Sequence, residues 1–136
     1  MKLGLGQLPV TASLKQNHAA MTTMVAEAAA EGCQVVCLPE MWACPYDNAA
    51  FPKYAEPAGG ETWNVFSPTG EQAAKHRKMH LFDIDVPGGV RFMESDVFTP
   101  GDAFTVFDTP FGKIGVAICF DIRFAEMFRI LSLEGA

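Results

Sequence analysis

The sequence predicts an α/β fold, and three observations carry that prediction. Lys2–Leu8 is apolar and strand-like, a helical pattern begins after Ser13, and Gln34–Leu38 is a second, mostly apolar strand. Strand, helix and strand with both strands apolar read as a βαβ unit with a buried parallel pair. Further on, the apolar run G-V-A-I-C at Gly115–Cys119 passes directly into F-D-I-R-F-A-E-M-F at Phe120–Phe128, a second strand-to-helix step. The 136 residues are 49% hydrophobic and 19% charged, enough to fill a core and too apolar for a disordered tail.

Each element has a local reason. Lys2–Leu8 alternates and runs into Pro9, which suits a short strand. Ser13 and Gln16 form a capping-box pattern at the start of the helix. Leu14, His18, Met21, Val25 and Ala28 recur at helical spacing, and Gly32 is a natural residue to follow the helix end. His18 on that stripe reads as a packed or rim histidine. Pro39-Glu40 closes the second strand, and residues 41–62, rich in Pro, Gly and aromatics, read as a long loop with a turn at Gly59-Gly60. Trp63–Phe66, the turn S-P-T-G at Ser67–Gly70, and Glu71–Arg77 read as a hairpin. Lys78–Asp102 reads as another long loop, and loops of that length inside a compact domain are usually functional or else mark a wrong assignment. Phe104–Phe107, the turn T-P-F-G, and Lys113–Cys119 form a second hairpin. The last helix is expected to start at Asp121 or the residue after it, with Phe124, Met127, Phe128 and Leu131 on one face. No repeat, low-complexity tract or linker divides the chain into two domains.

Charge and cysteine usage narrow the functional classes. The net charge is −6, with no basic stripe, which argues against nucleic acid and anionic membrane as partners. Met1-Lys2-Leu3 leads straight into a strand pattern rather than a signal-peptide core, and no apolar stretch approaches the roughly 18 residues of a membrane span. Free thiols at Cys33, Cys37, Cys44 and Cys119 in a reducing, cytoplasmic compartment are the simplest expectation, a mitochondrial one remaining open. His76 and His80, four apart, invite a zinc reading. The segment is not helical, H-E-x-x-H is missing, and Cys33 and Cys37 fall mainly on a buried strand, so no metal site is expected.

Four residues could carry chemistry. Cys119 ends an apolar strand at a sharp turn into a helix, where the positive end of the helix dipole favours thiolate. An ordinary cysteine, with a pKa near about 8.5, is only a few per cent thiolate at neutral pH. The bland alternative is a small buried hydrophobe. Glu40 lies at the end of the second strand, and ligands of parallel α/β sheets collect at strand carboxyl ends. Lys78 sits in a loop tied down by Leu81-Phe82 and Pro87-Gly88, where an ammonium can stabilise an oxyanion and lower a neighbouring thiol's pKa. Glu94, in the same loop region, could orient Lys78 or a water. A Cys119–His80 dyad is a competing arrangement, since histidine is the usual base for a catalytic cysteine.

Three ordered motifs carry a family resemblance. L-P-E at Leu38–Glu40, R-K-M-H-L-F-D at Arg77–Asp83, and G-V-A-I-C-F-D-I-R-F-A-E at Gly115–Glu126 resemble the nitrilase, or carbon–nitrogen hydrolase, superfamily. H-L-F-D-I-D-V-P-G at His80–Gly88, F-M-E-S at Phe92–Ser95 and T-P-G-D at Thr99–Asp102 look most like its ω-amidase branch. The resemblance spans residues 1–136 as a partial domain. It implies an α/β fold of the α-β-β-α sandwich type, incomplete in this chain. It implies Glu40 as general base, Lys78 as the triad lysine, Cys119 as nucleophile and Glu94 as the second glutamate. Tyr46 matches a pocket-side aromatic, and the backbone N–H of Phe120 would join Lys78 in holding the oxyanion.

The implied function is an amidase that releases ammonia from a small ω-amide of a dicarboxylic acid through a cysteine thioester. No metal or organic cofactor is implied, and the implied partners are the small amide and further copies of the chain in a homo-oligomer. Against the family pattern the chain is shortened near 62–63, by about thirty residues, roughly one helix plus one strand, and it lacks the C-terminal half. A different amide or nitrile as substrate, and an inactive interaction module, are the alternatives.

Overall fold

The first strand alternates small and large residues, and that alternation decides how the helix packs on it. In the computed structural model, which describes residues 1–57, 64–67, 69 and 71–136, the chain forms two compact units, Met1–Tyr54 and Ala55–Ala136. In the first, β1 (Leu3–Leu5) pairs in parallel with β2 (Val35–Cys37), and α1 (Leu14–Ala30) connects them. This is the expected βαβ unit. Gly4 and Gly6 give the helix side close approach: a Cβ on Gly4 would lie 3.2 Å from Cys33 Sγ, and one on Gly6 2.4 Å from Met24 Cε. Leu3 and Leu5 alternate to the other face and remain exposed, so the pair is parallel but not buried as expected.

Helix α1 begins and ends as its caps dictate. Ser13 accepts from the N–H of Gln16 at 3.3 Å. The other half of the expected capping box is replaced: the Ser13 N–H donates to Thr11 Oγ1, and the Gln16 side chain bonds that same hydroxyl. At the far end Glu31 is the C-cap and Gly32 takes φ +77°. The N–H groups of Gly32 and Cys33 donate to Ala29 and Ala28, the paired bonds of a Schellman motif. Leu14 lies off the packed stripe and is exposed, while Asn17 is fully buried. The stretch read as a loop from residue 41 to 62 holds a short helix, α2 (Phe51–Tyr54), with Phe51 buried. The Asp47 carboxylate, accepting from the Ala49 N–H at 3.0 Å, sets up that turn. Residues 58–62 of the expected loop lie outside the described residues.

The second unit is built from hairpins. β3 (Asn64–Phe66) pairs with β4 (Gln72–Lys75), as expected, with Trp63, Pro68 and Gly70 of that reading outside the described residues. The expected loop at Lys78–Asp102 contains a third hairpin, β5 (Asp83–Asp85) with β6 (Arg91–Met93). Its turn follows from Pro87-Gly88: Gly88 takes φ +70° and the Gly89 N–H donates to Val86. Strands of three residues leave too little alternation to be read in advance. β7 (Thr105–Thr109) pairs with β8 (Gly112–Val116), and α3 (Ala125–Leu133) follows. Helix α3 starts four residues later than Asp121, because a 3-10 turn at Cys119–Arg123 and the extended Phe124 intervene. Met127 and Leu131 are its buried residues, and Phe128 is exposed. Leu131 packs on β8 where Gly115 makes room: a Cβ there would lie 3.2 Å from Leu131 Cδ1. Among the described residues no helix is long and apolar enough to cross a membrane.

Candidate active site

Only two non-glycine residues take a left-handed backbone among those described, Met41 at φ 58° and Cys119 at φ 48°. Such residues cost about 1–2 kcal/mol each and collect where the surroundings over-determine a geometry. One is Cys119 itself, and the other directly follows Glu40.

In the first unit, Pro39 ends the strand ladder and Glu40 is exposed in the turn beyond it. Asn17 holds the next few residues. Its Nδ2 donates to the carbonyls of Ala43 and Thr11, both at 2.8 Å, and its Oδ1 accepts from the Thr11 N–H at 2.9 Å. Trp42 meets the His18 ring edge-on at 5.0 Å, which makes His18 a packing residue, as its place on the stripe suggested. Tyr46 is half-exposed and stands edge-on to the buried Phe51. Burial pushes the Cys44 thiol above its ordinary range.

In the second unit, Lys78 and Glu94 come together in the interior. Nζ lies 3.0 Å from Oε1 and 2.9 Å from Oε2, and the two residues are 7% and 4% exposed. Glu94 is held by the Phe82 N–H, which donates to Oε2 at 2.8 Å. The Lys78 carbonyl accepts from Gly101 at 2.8 Å, and Gly101 has no space for a side chain: a Cβ would lie 2.3 Å from the Arg77 carbonyl. The lysine is therefore fixed through both its backbone and its ammonium.

Cys119 projects from the end of an extended segment and is exposed. The four cysteines are all thiols. Because α3 begins at Ala125, the expected helix dipole is not at the sulfur, and a 3-10 turn stands in its place. Phe120 is half-buried, its ring edge-on to Phe82 at 5.2 Å and to Phe124 at 5.6 Å. Cys119, Phe120, Lys78 and Glu94 thus share one unit, and Glu40 and Tyr46 belong to the other.

The sequence reading missed Asp121, taken only as a helix start. It is fully buried, and its carboxylate accepts from the backbone of Ile118 and from both the backbone and ring of His80. Burial works to raise this carboxyl, but those N–H donors outweigh it and hold it below the usual carboxylate range. His76, also buried, places Nε2 at 3.8 Å from the same carboxylate. Burial lowers the His76 imidazole, with the Asp121 charge opposing. His76 and His80 thus face a carboxylate, and among the described residues no group of three His, Cys, Asp or Glu side chains is placed to hold a metal ion. A useful signal existed: an acidic residue two positions after Cys119, within an otherwise apolar run.

The carbon–nitrogen hydrolase family model matches residues 2–64 and 60–136. The omega-amidase NIT2-A of Xenopus laevis is 41% identical over 165 residues, covering 98% of this chain and 60% of its own length. The chain thus spans about 60% of the length of such relatives. The structure of Saccharomyces cerevisiae Nit3, a member of branch 10 of the nitrilase superfamily, matches all of this chain and 61% of its own, with TM-score 0.76 and 28% identity. The C. elegans NitFhit protein matches 98% of this chain and 41% of its own, with TM-score 0.80 and 25% identity. The fold is accordingly α/β of the nitrilase type and incomplete, and the chain belongs to the carbon–nitrogen hydrolase family.

Proposed function

We propose that this chain carries the nucleophile of an amidase that releases ammonia from a small ω-amide of a dicarboxylic acid. The observation that carries this reading is Cys119 in a left-handed turn, in the same unit as a buried Lys78–Glu94 pair, in a member of this family. Omega-amidases about 40% identical to the chain support the substrate class.

In this reading Glu40 takes the Cys119 thiol proton and the thiolate attacks the amide carbonyl. Lys78 and the Phe120 N–H stabilise the oxyanion, with Glu94 orienting Lys78. Protonated Glu40 returns its proton to the leaving nitrogen as the C–N bond breaks, giving ammonia and a thioester. Water, deprotonated by Glu40, then attacks the thioester, and the released thiol completes the cycle. Tyr46 lines the substrate pocket. Residues 1–136 form the N-terminal part of a carbon–nitrogen hydrolase domain shortened near 62–63. The two-piece family match and alignments of 165 residues against a chain of 136 support that boundary. Exposed apolar side chains at Ile122, Phe128 and Leu133 support a homo-oligomer, which light scattering checks. A reducing, cytoplasm-like compartment fits the four thiols, and cell fractionation tests it.

Ammonia release from succinamate, the monoamide of succinic acid, tests the function. Activity in the unaltered chain that Cys119→Ala abolishes is the expected result. No ammonia from succinamate or other ω-amides, or full activity in Cys119→Ala, would falsify it. Activity confined to other amides or nitriles would place the chain elsewhere in the family.

A further inference from the structure

The Asp121 carboxylate joins two segments that the sequence holds far apart. Oδ1 accepts from the His80 backbone N–H at 2.9 Å and from His80 Nδ1 at 2.8 Å. Oδ2 accepts from the Ile118 N–H at 2.9 Å and faces His76 Nε2 at 3.8 Å. His76 Nδ1 lies 2.9 Å from the Thr105 hydroxyl, and the His80 ring stacks on Phe124 with centroids 3.5 Å apart. A carboxylate only accepts, so His80 carries its hydrogen on Nδ1.

Position along the chain gives these contacts their meaning. Asp121 is two residues beyond Cys119, Ile118 is the residue before it, and His80 is two residues beyond Lys78. Three hydrogen bonds to one buried charge therefore connect the strained Cys119 turn to the segment that carries Lys78. A neutral amide cannot do the same. Asn has one acceptor oxygen, so one of the two backbone N–H groups would lose its partner.

We propose that Asp121 is a positioning residue whose charge, bonded by His80 and the Ile118 N–H, holds the Cys119 turn and the Lys78 segment in the reactive geometry. This rests on the reading of Cys119 as the amidase nucleophile.

The test is Asp121→Asn in the full chain, read in two ways. The first is kcat and KM for ammonia release from succinamate, per Cys119 counted by stoichiometric iodoacetamide labelling. The second is the pH dependence of the Cys119 labelling rate. The expected result is kcat lower by about 100-fold with KM within about threefold. The labelling midpoint is expected to move by about one pH unit. A kcat per Cys119 within about threefold of the unaltered chain, with superimposed labelling profiles, would overturn the proposal. If the unaltered chain releases no ammonia, the amidase reading fails by itself, and the labelling profiles alone decide: displaced profiles uphold the positioning role and superimposed ones reject it. Should Asp121→Asn not fold, His80→Phe keeps the backbone hydrogen bond and the stacking while deleting the ring bond. It is expected to lower kcat about tenfold at constant KM, and an unchanged kcat rejects the proposal.

Discussion

Lys78 and Glu94 share a buried ion pair, and removing either one takes this counter-charge away from the other in the interior. Breaking such a pair from one side typically costs about 3–5 kcal/mol, whereas replacing both charges can be nearly neutral. Lys78→Met is therefore expected to destabilise the chain by about 3 kcal/mol, with Lys78→Met/Glu94→Leu recovering most of it. Urea denaturation of the two singles and the double closes the cycle. Additive losses would mean that the pair does not couple. At this scale the sequence was informative about identity and silent about partners. Lys78 and Glu94 stood out as candidates in one loop region, but the side chain that pairs with Lys78 lies 16 residues away across a hairpin not visible in the sequence. Asp121 was misjudged for the same reason, since its partner His80 is 41 residues distant.

Helix α1 shows what local chemistry can specify. Ser13 and Gly32 mark its two ends in the sequence, and both serve there. Both bonds are made within a few residues, so the local chain supplies every partner. Asn17 is the exception on this element, a polar residue in a helix interior whose purpose appears only with its contacts. It bonds Ala43 across 26 residues and ties the segment after Glu40 to the helix. Asn17→Ala is expected to cost about 1–3 kcal/mol, because it removes three hydrogen bonds to the part-buried backbone of Thr11 and Ala43. It is also expected to speed iodoacetamide labelling of Cys44, which is buried in the tethered segment. Labelling of Cys44 no faster than in the unaltered chain would rule out the tether. The missed hairpin and the late start of α3 have a physical cause too. Strands of three residues carry too little periodicity to register, and the 3-10 turn at Cys119–Arg123 occupies residues whose apolar spacing also fits an α-helix.

For the whole molecule, the buried Asp121 and His76 link stability to pH in one direction. Both titrate below their ordinary values when folded. An unfolded histidine binds its proton near about pH 6.5, so below that point the unfolded chain holds a proton that folded His76 refuses. Stability therefore falls as pH drops below that value and is indifferent to His76 above it. Asp121 adds a second loss, beginning near the unfolded aspartate value of about 3.9 and completed as pH falls through its lower folded value. The urea midpoint is expected to be lower at about pH 5 than at about pH 7, and His76→Gln to shrink that difference. An unchanged difference in the variant would remove His76 from the account.

Neighbours along the chain specify the family motifs, the βαβ unit, the helix caps and a strand before Cys119, although that strand ends at Val116 and Cys119 opens the 3-10 turn instead of closing the strand. Between such neighbours propensity, periodicity and turn chemistry act directly. The tertiary structure decided which charges meet: Lys78 with Glu94, and Asp121 with His80 and His76. Those pairings bridge long separations and depend on the path of the backbone between them. No local pattern encodes that path, because the free energy that selects it comes from burying side chains drawn from many segments at once.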